Sequence, residues 1–299
     1  MREITLENLS DVAETLLLPL LIRALESERP DALIKDENAV ALARQVDPEF
    51  VRAKLADISD ESRVAMVLRT LEIDRHARKF LAHHPDAVVV HIGCGLDARF
   101  ARTCAEQADN GQVEWYDLDL PEVVELRRKL IGGEGPHYHL LAGSVLDGAW
   151  LNAVSTHRGR PFLFLAEGVL MYLTEAQVRW LVLTLTQQFP GAELVFDAFS
   201  PFFSWANNLR VKRTGVGARS QWALKRGRDL EAWGAASPIG GASTPGAAGI
   251  LGADIRLLDE WFPYIAPEPR LARARQIRHI PLLARVLGIF HYRLGTTPL

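Results

Sequence analysis

The residues best suited to chemistry follow a largely β-branched run, Val88 to Ile92, that ends at Gly93 and Gly95. Such a run predicts a buried parallel strand. Two glycines one residue apart predict a tight turn, because a residue without a Cβ lets the backbone bend sharply while a ligand lies against it. The spacing from Gly93 to Ala98 meets the loose dinucleotide fingerprint. In open α/β sheets ligands bind at such strand ends, so the turn predicts a cofactor site, with a plain strand-to-helix connection as the alternative.

Three acidic residues lie near the ends of other predicted strands: Asp119, Glu167 and Asp197. A carboxylate has two acceptor oxygens for the vicinal hydroxyls of a ribose, and the acid with this role lies about 20 residues beyond the glycines. Asp119 has the right position for it. Asp117 is the alternative, because it lies two residues earlier on the same face of the strand.

The cofactor that fits these residues has a ribose but no phosphate. Asp97, at the start of the next helix, would repel a pyrophosphate. The sequence contains no P-loop, and none of its tyrosines is followed by a lysine four residues later, as in short-chain dehydrogenases. S-adenosylmethionine fits better, because it has a ribose diol, an adenine and a sulfonium cation that acids and aromatic faces tolerate. A nicotinamide oxidoreductase is the least favoured class.

The elements that position these residues alternate regularly between strand and helix. The pattern predicts a Rossmann-like α/β fold, a doubly wound parallel sheet with right-handed crossovers. Before the sheet, apolar residues at helical spacing predict a helix over residues 10–26, with Pro19 expected to kink or break it. Ser59 is expected to cap a helix that ends near His83, and another helix is expected from Asp97 to about Ala108.

This pattern divides the chain into four segments. Residues 1–85 are predicted to form an N-terminal helical cap, and residues 86–200 the Rossmann-like cofactor-binding core. Residues 201–254 are predicted to form an insertion or lid that contains a Gly- and Ala-rich loop over 234–252. Residues 255–299 are predicted to complete the sheet with a hairpin-like pair, over 255–258 and 288–294.

Composition excludes several classes of protein. The net charge of −3 argues against a general nucleic-acid binder. No charge-free apolar run approaches the ~20 residues that span a bilayer, and the N-terminus has no secretory signal, so we expect a cytoplasmic protein without a membrane partner. Cys94 and Cys104 form neither a disulfide framework nor a metal cluster. Cys94 is expected to fill space in the turn, and no metal site is expected.

Four blocks of the sequence together resemble the leucine carboxyl methyltransferase superfamily, and more closely its bacterial branch of polyketide-type (tetracenomycin-type) O-methyltransferases. They appear in the right order between about Ser62 and Asp197. The blocks are Arg69, Gly93 to Arg99, Trp115 to Pro121 and Ala166 to Leu173, and a later family pattern is similar to Trp222, Asp229 and Trp233. The resemblance implies a class I S-adenosylmethionine-dependent methyltransferase.

The resemblance also implies a role for several residues at the cofactor. Arg69 would pair with its carboxylate, a task that suits the guanidinium fork. The turn Gly93-Cys94-Gly95 would lie against its methionine part, and Asp119 would hold the ribose. Glu167 would lie near the ammonium and the sulfonium. Arg69 as a surface helix residue and Glu167 as a helix cap are the alternatives.

The adenine contact is expected after the third strand. Where protein-methylating relatives have an acid followed by leucine, this chain has Ser144 and Val145, with Asp147 two residues later. The resemblance therefore places Ser144 and Val145 at the adenine, although the chain departs from the family pattern there.

Methyl transfer is an in-line displacement that depends mainly on positioning. A carboxylate acceptor needs no base, whereas a phenol or alcohol benefits from one, and we name Tyr172 and Glu167 as the catalytic candidates. His137, His139 and Asp197 are further candidates for a base, with packing as the alternative for the histidines. The aromatic residues that would line an apolar acceptor pocket, or instead pack in the core, are Phe202, Phe203, Trp205, Trp222 and Trp233.

The sequence thus predicts an S-adenosylmethionine-dependent O-methyltransferase of a small molecule with a hydroxyl or carboxyl group, in polyketide-type metabolism, as a monomer or homodimer. One alternative is methylation of a protein's C-terminal carboxylate, because the basic run Arg210 to Arg228 would dock an acidic tail. The other is a methyltransferase-like protein that binds the cofactor without turnover.

Overall fold

The computed structural model describes residues 11–56, 58–104, 112–214, 218–235, 254–272, 276, 279–280 and 284–296. Seven strands form one sheet. They are β1 (Val88–Ile92), β2 (Glu114–Asp119), β3 (Tyr138–Ala142), β4 (Phe162–Ala166), β5 (Ala192–Phe199), β6 (Ile255–Trp261) and β7 (Leu287–Leu294). Their order is β3-β2-β1-β4-β5-β7-β6.

Ten helices surround or cap this sheet in the described part of the chain. They are α1 (Asp11–Ser27), α2 (Glu37–Ala43), α3 (Pro48–Ala56), α4 (Asp60–His83), α5 (Arg99–Cys104), α6 (Pro121–Leu130), α7 (Ala149–Val154), α8 (Glu175–Gln188), α9 (Pro201–Thr214) and α10 (Glu231–Ala235). Short 3₁₀ turns connect several of them, including Leu170–Tyr172 directly after the end of β4.

The sheet is buried on both faces, which explains why β1 and β4 are apolar along almost their whole length. On one face, α4 contributes Ile73, Ala77 and Phe80 to a cluster with Val89 and Leu163. On the other face, α7 and α8 pack against alternate residues of the same strands. The Rossmann-like α/β fold predicted from the alternation is confirmed.

The sheet is parallel from β3 to β5 and antiparallel at β7, which pairs with both β5 and β6. The expected hairpin-like pair near the C-terminus is therefore present, and β7 lies between β5 and β6. The parallel sheet predicted for the core thus runs from β3 to β5, and the C-terminal pair adds the antiparallel strands at its edge.

The N-terminal helices α1 to α3 pack with α4 in a separate apolar cluster. Pro19 lies inside α1, which runs unbroken from Asp11 to Ser27, so the expected break is wrong. The Ser59 side chain accepts a hydrogen bond from Ser62 N and begins α4, as predicted. The helix expected from Asp97 starts instead at Arg99.

Most of the predicted Gly- and Ala-rich loop, residues 236–253, lies outside the described part of the chain. Within the part that is described, every helix is too short or too polar to span a bilayer. The division into four segments stays a prediction.

Candidate active site

The glycine turn after β1 has the geometry that the sequence predicted. Gly93 has φ +64° and Gly95 has φ +51°, both in the left-handed region that favours glycine. A Cβ on Gly93 would overlap Val169 Cγ2, so a larger residue does not fit there. Cys94, between the two glycines, is buried, and burial raises the pKa of its thiol, which fits the expected filling role.

Strand register brings the predicted acids next to this turn. Ile92 pairs with Leu118 on one side and with Ala166 on the other. Ala166 pairs in turn with Phe196. The next residue of each strand is therefore Gly93, Asp119, Glu167 or Asp197, and these four lie side by side at the carboxyl edge of the parallel strands. This edge is where ligands bind in such sheets.

Asp119 is half-buried beside the glycine turn. Its Oδ2 accepts a hydrogen bond from Gly95 N at 2.7 Å, and its Oδ1 accepts one from Leu120 N at 2.8 Å. Burial raises the pKa of Asp119, although these two backbone donors lower it. Each carboxylate oxygen keeps a free lone pair, so both remain available to a diol.

Asp117, the alternative to Asp119, is fully occupied. Its Oδ1 accepts from Trp115 Nε1 at 2.8 Å, and its Oδ2 accepts from Tyr138 Oη at 2.6 Å and from the Arg127 guanidinium. Burial raises its pKa, but Arg127, His91 and Tyr138 together outweigh burial and the pKa is lowered. Asp117 therefore anchors β2, β3 and α6 to one another.

Arg69 lies on α4 with its side chain buried under the same edge. Its Nη2 lies 2.8 Å from Glu167 Oε1, and its Nη1 lies 3.0 Å from Asp197 Oδ2. Its Nε makes no hydrogen bond within the described residues. Arg69 is therefore not a surface residue, and it retains one unused donor.

Glu167 has an arginine at each of its two carboxylate oxygens. Oε1 also accepts a hydrogen bond from Thr70 Oγ1 at 2.8 Å, and Oε2 accepts one from the Arg99 guanidinium. Burial raises the pKa of Glu167, but Arg69 and Arg99 outweigh burial and lower that pKa to about 2. Glu167 is therefore an anion at any pH at which the protein works, and it does not act as a helix cap.

Sequence reasoning missed the buried network that holds Glu167. Arg99 is fully buried, and its other nitrogens bind Asp74 Oδ1 at 2.7 Å and His91 Nε2 at 2.9 Å. Arg102 binds Asp74 Oδ2 at 2.9 Å. The local signal for this network was Arg99 itself, which lies in the glycine block two residues after Asp97. Because a helix was expected there, Arg99 was not recognised as a buried residue.

Asp97 is part of the same network, since its carboxylate lies 2.6 Å from Arg102 and 3.2 Å from Arg99. Burial raises its pKa, but Arg102, Arg23 and Arg99 hold that pKa well below its ordinary value. Because these cations offset its charge, Asp97 offers little repulsion to a pyrophosphate. Asp97 therefore does not by itself exclude a cofactor that carries a pyrophosphate.

Ser144 and Val145 follow β3 at the same edge of the sheet as Asp119. Ser144 N donates to Asp147 Oδ2 at 3.1 Å, and Ser144 Oγ accepts from Leu146 N at 3.2 Å. Val145 O accepts from Trp150 Nε1 at 3.0 Å, which fixes the loop to α7.

On the acceptor side, Tyr172 is 37% exposed and lies near the Arg69 and Asp197 charges. Burial raises the pKa of its phenol, so Tyr172 is a hydrogen-bond donor at neutral pH. Asp197 is fully buried, and its Oδ1 accepts from Gly168 N at 2.6 Å, so it is no free base.

The other candidates divide between surface and core. Trp205 is 62% exposed on α9 and its ring lies 6.1 Å from that of Phe202. Phe203 packs against Phe199 instead, and Trp222 packs against Trp233 and the sheet.

The two histidines lie away from the glycine turn. His137 and His139 both bind Glu114, at 3.0 and 2.7 Å. Glu114 begins β2, so the two histidines lie at the end of this strand opposite to Asp119.

A wide surface groove of about 1800 Å³ lies elsewhere, between α7, α8 and the amino ends of β4 and β5. It is lined by Trp180, Phe162 and Arg158 among others, and not by the glycine turn or Glu167. The residues predicted to hold the cofactor are therefore brought together by the strand register, and they do not line this groove.

Comparisons with known proteins agree with this architecture. A solved structure from Thermobifida fusca, described as a candidate methyltransferase, matches with a TM-score of 0.55 and 16% identity over 94% of this chain and 95% of that one. A DUF574 family protein from Streptomyces avermitilis matches with a TM-score of 0.54 and 12% identity over 92% and 96%. The fold is that of class I S-adenosylmethionine-dependent methyltransferases.

The family follows from sequence comparison. The model of the family "Leucine carboxyl methyltransferase" matches residues 17–186, so the chain belongs to the leucine carboxyl methyltransferase family. It is 36% identical to the tetracenomycin polyketide synthesis O-methyltransferase TcmP of Streptomyces glaucescens over 75% of this chain and 79% of that protein. It is 29% identical to the S-adenosyl-L-methionine-dependent methyltransferase dpfgK of Gibberella zeae over 75% and 78%. The protein is an S-adenosylmethionine-dependent methyltransferase.

Proposed function

We propose that this methyltransferase transfers the methyl group of S-adenosylmethionine to a hydroxyl or carboxyl oxygen of a small aromatic molecule of the polyketide type. The observation that carries the proposal is the meeting of the Gly93 turn, Asp119 and the Arg69–Glu167 pair at one sheet edge. The similarity to TcmP along three quarters of the chain supports an oxygen acceptor.

The residues at this edge fit the groups of the cofactor. Asp119 offers a free lone pair on each oxygen to the two ribose hydroxyls. Both terminal nitrogens of Arg69 bind Glu167 and Asp197, so Arg69 would meet the cofactor's carboxylate through its charge and its remaining Nε donor rather than through a free guanidinium fork. The Gly93-Cys94-Gly95 turn would present its backbone to the methionine part of the cofactor, and Ser144 and Val145, which follow β3, would lie at the adenine.

Arg69 and Arg99 hold the Glu167 carboxylate as an anion and offset much of its charge. Glu167 would therefore meet the cofactor's ammonium through a hydrogen bond to Oε2 rather than through a strong net attraction. With a pKa of about 2, Glu167 does not accept a proton during the reaction, and its role is electrostatic and positioning.

The cofactor, when bound, supplies a methyl group activated by its positive sulfur. The protein must hold an acceptor oxygen in line with that carbon, and this positioning is the main source of acceleration. Tyr172, as a protonated phenol beside Arg69, would donate a hydrogen bond to the acceptor. A carboxylate acceptor reacts directly, whereas a phenol must lose its proton to water.

The acceptor would lie between Tyr172 and α9. The segment from Ser220 to Trp222 ties these elements together, because Asn208 Oδ1 accepts from Ser220 N at 2.8 Å and Met171 O accepts from Gln221 N at 2.8 Å. The half-buried ring of Phe202 and the exposed ring of Trp205 would then face an apolar, flat acceptor.

The test has two steps. Calorimetric titration with S-adenosylhomocysteine, with NAD as the control, is expected to show binding of the former alone. Methyl transfer is then measured with a polycyclic phenol, a polycyclic carboxylic acid and a peptide with a free C-terminal carboxylate. Turnover of a polycyclic acceptor supports the proposal, turnover of the peptide alone would replace it with protein methylation, and binding without any turnover would favour a non-catalytic protein.

A further inference from the structure

Outside the proposed active site, α4 and β6 bring three metal-ligating side chains together. Glu72 and His76 lie four residues apart on one face of α4, and Asp259 comes from β6. One ligand atom from each lies within 4.8 Å of the others. Glu72 follows Arg69 by about one helical turn, so the cluster is on the same helix as the proposed cofactor residue.

The ligand atoms lie slightly farther apart than those around a tetrahedral ion, so small side-chain movements would close the site. His76 Nε2 lies 3.4 Å from Glu72 Oε1 and 3.8 Å from Asp259 Oδ2, both longer than a good hydrogen bond. Zinc–ligand bonds of about 2.0–2.1 Å place neighbouring ligand atoms of a tetrahedral site about 3.3 Å apart. His76 is 5% exposed, and its Nε2 faces the two carboxylates.

A cation of the protein already occupies this position. Arg75 Nη2 lies 2.5 Å from Glu72 Oε1 and 3.5 Å from both Asp259 Oδ2 and His76 Nε2. The Arg75 side chain is 51% exposed, so it has room to turn into solvent. The cluster therefore binds a positive charge, and the Arg75 side chain that supplies this charge can be displaced.

The His76 ring also contacts the sheet. His291, the register partner of Asp259 on β7, contacts His76 edge to face with ring centroids 4.6 Å apart. His291 is itself held by Glu193 at 2.7 Å. This ring contact restricts the orientation of the His76 imidazole.

We propose that Glu72, His76 and Asp259 form a site for one divalent cation of the zinc type, which Arg75 vacates on binding. Water would complete the coordination, as in other three-ligand sites. The bound ion would join α4 to the β6–β7 edge of the sheet and so stabilise the helix that carries Arg69 and Thr70.

The experiment uses the full chain after treatment with a chelator. Zn²⁺ is titrated by calorimetry, and thermal unfolding is recorded with and without Zn²⁺. We expect one ion per chain and a higher unfolding temperature, because an ion that binds only the folded state stabilises it. Asp259→Asn changes a half-exposed side chain, so folding should persist while affinity falls by roughly tenfold or more.

Two further variants test whether Zn²⁺ binds at this cluster. His83→Ala removes an exposed histidine from the same helix and should leave Zn²⁺ binding unchanged. Arg75→Ala removes the competing cation and should raise the affinity. The proposal is overturned if Zn²⁺ does not bind, or if Asp259→Asn binds it as wild type does. Zn²⁺ binding that His83→Ala abolishes would place the ion elsewhere and would equally overturn it.

Discussion

Arg99 and Glu167 are 68 residues apart in the chain, and the Arg99 guanidinium donates a hydrogen bond to Glu167 Oε2 beneath the glycine turn. Arg69 holds the other oxygen at 2.8 Å. A planar guanidinium at each oxygen fixes both the position and the charge of this carboxylate. If Glu167 binds the cofactor as proposed, Arg99 is a positioning residue that acts on the cofactor through Glu167.

Arg99→Lys is expected to weaken S-adenosylhomocysteine binding roughly tenfold, because one ammonium cannot bind Asp74, His91 and Glu167 together. The sign of the pH effect follows from the pKa of Glu167, about 2 in place of its ordinary 4.5. The ionised group stabilises the folded state above pH 4.5, and this contribution is lost as the pH falls towards 2.

In Arg99→Lys the pKa of Glu167 should rise, so binding and stability should begin to fall at a higher pH than in wild type. Calorimetry between neutral and acidic pH measures the first, and urea unfolding at the same pH values measures the second. Arg128→Lys, an exposed arginine on α6, is the control. Identical pH profiles for Arg99→Lys and wild type would contradict the positioning role.

Substitution of Asp119 or Asp117 by Asn is expected to have different effects: the first should lower cofactor affinity and the second should lower stability. Asp119→Asn should lose roughly tenfold to a hundredfold in S-adenosylhomocysteine affinity, because it removes a charged acceptor of the ribose hydroxyls. Burial raises the pKa of Asp119, so its charge disfavours folding at neutral pH and its loss should not lower the free energy of unfolding.

Asp117→Asn should instead lower the free energy of unfolding by about 3 kcal/mol or more, because the buried Arg127 charge loses its partner. Urea unfolding and calorimetry on both variants separate these effects. If Asp119→Asn binds as tightly as wild type, the ribose assignment is wrong.

Gly93→Ala tests the turn itself. The new Cβ would overlap Val169 Cγ2 at a φ of +64°, so we expect a loss of about 1–3 kcal/mol in unfolding free energy and a loss of cofactor affinity. Gly133→Ala is the matched control, since a Cβ added to Gly133 would have no other atom within 4 Å, and it should have little effect.

The double variant Gly93→Ala/Val169→Ala removes the steric contact but keeps the strained φ. It should regain part of the stability lost in Gly93→Ala and little of the affinity. Full recovery of binding would show that the glycine is needed only for packing against Val169, and not for the approach of the cofactor.

The sequence predicted those parts of the fold and the site that depend on residues close together in the chain. Strand alternation, the Ser59 cap and the glycine turn depend on neighbouring residues, and parallel register then places Asp119 beside Gly93 without further information. Of the kink or break expected at Pro19, the break is wrong, because apolar packing around α1 compensates for one lost hydrogen bond.

The buried network beneath the site could not be predicted in the same way. Arg99 meets Asp74 across 25 residues, and Arg102 meets Asp36 across 66. No periodicity connects such partners, and a charged residue on a predicted helix is ordinarily assigned to solvent. Their pairing depends on how α4 and α5 pack, which is a property of the tertiary fold.

Tyr172→Phe separates acceptor chemistry from cofactor binding. Because burial raises the pKa of Tyr172, the phenol is protonated at neutral pH and would act as a hydrogen-bond donor to the acceptor. We expect kcat/KM for the acceptor to fall roughly tenfold while S-adenosylhomocysteine affinity stays unchanged. Tyr116→Phe is the control, since its hydroxyl binds His157 at 2.8 Å. An equal loss in both variants, or a loss of cofactor affinity in Tyr172→Phe, would show that Tyr172 supports the fold or the cofactor rather than the acceptor.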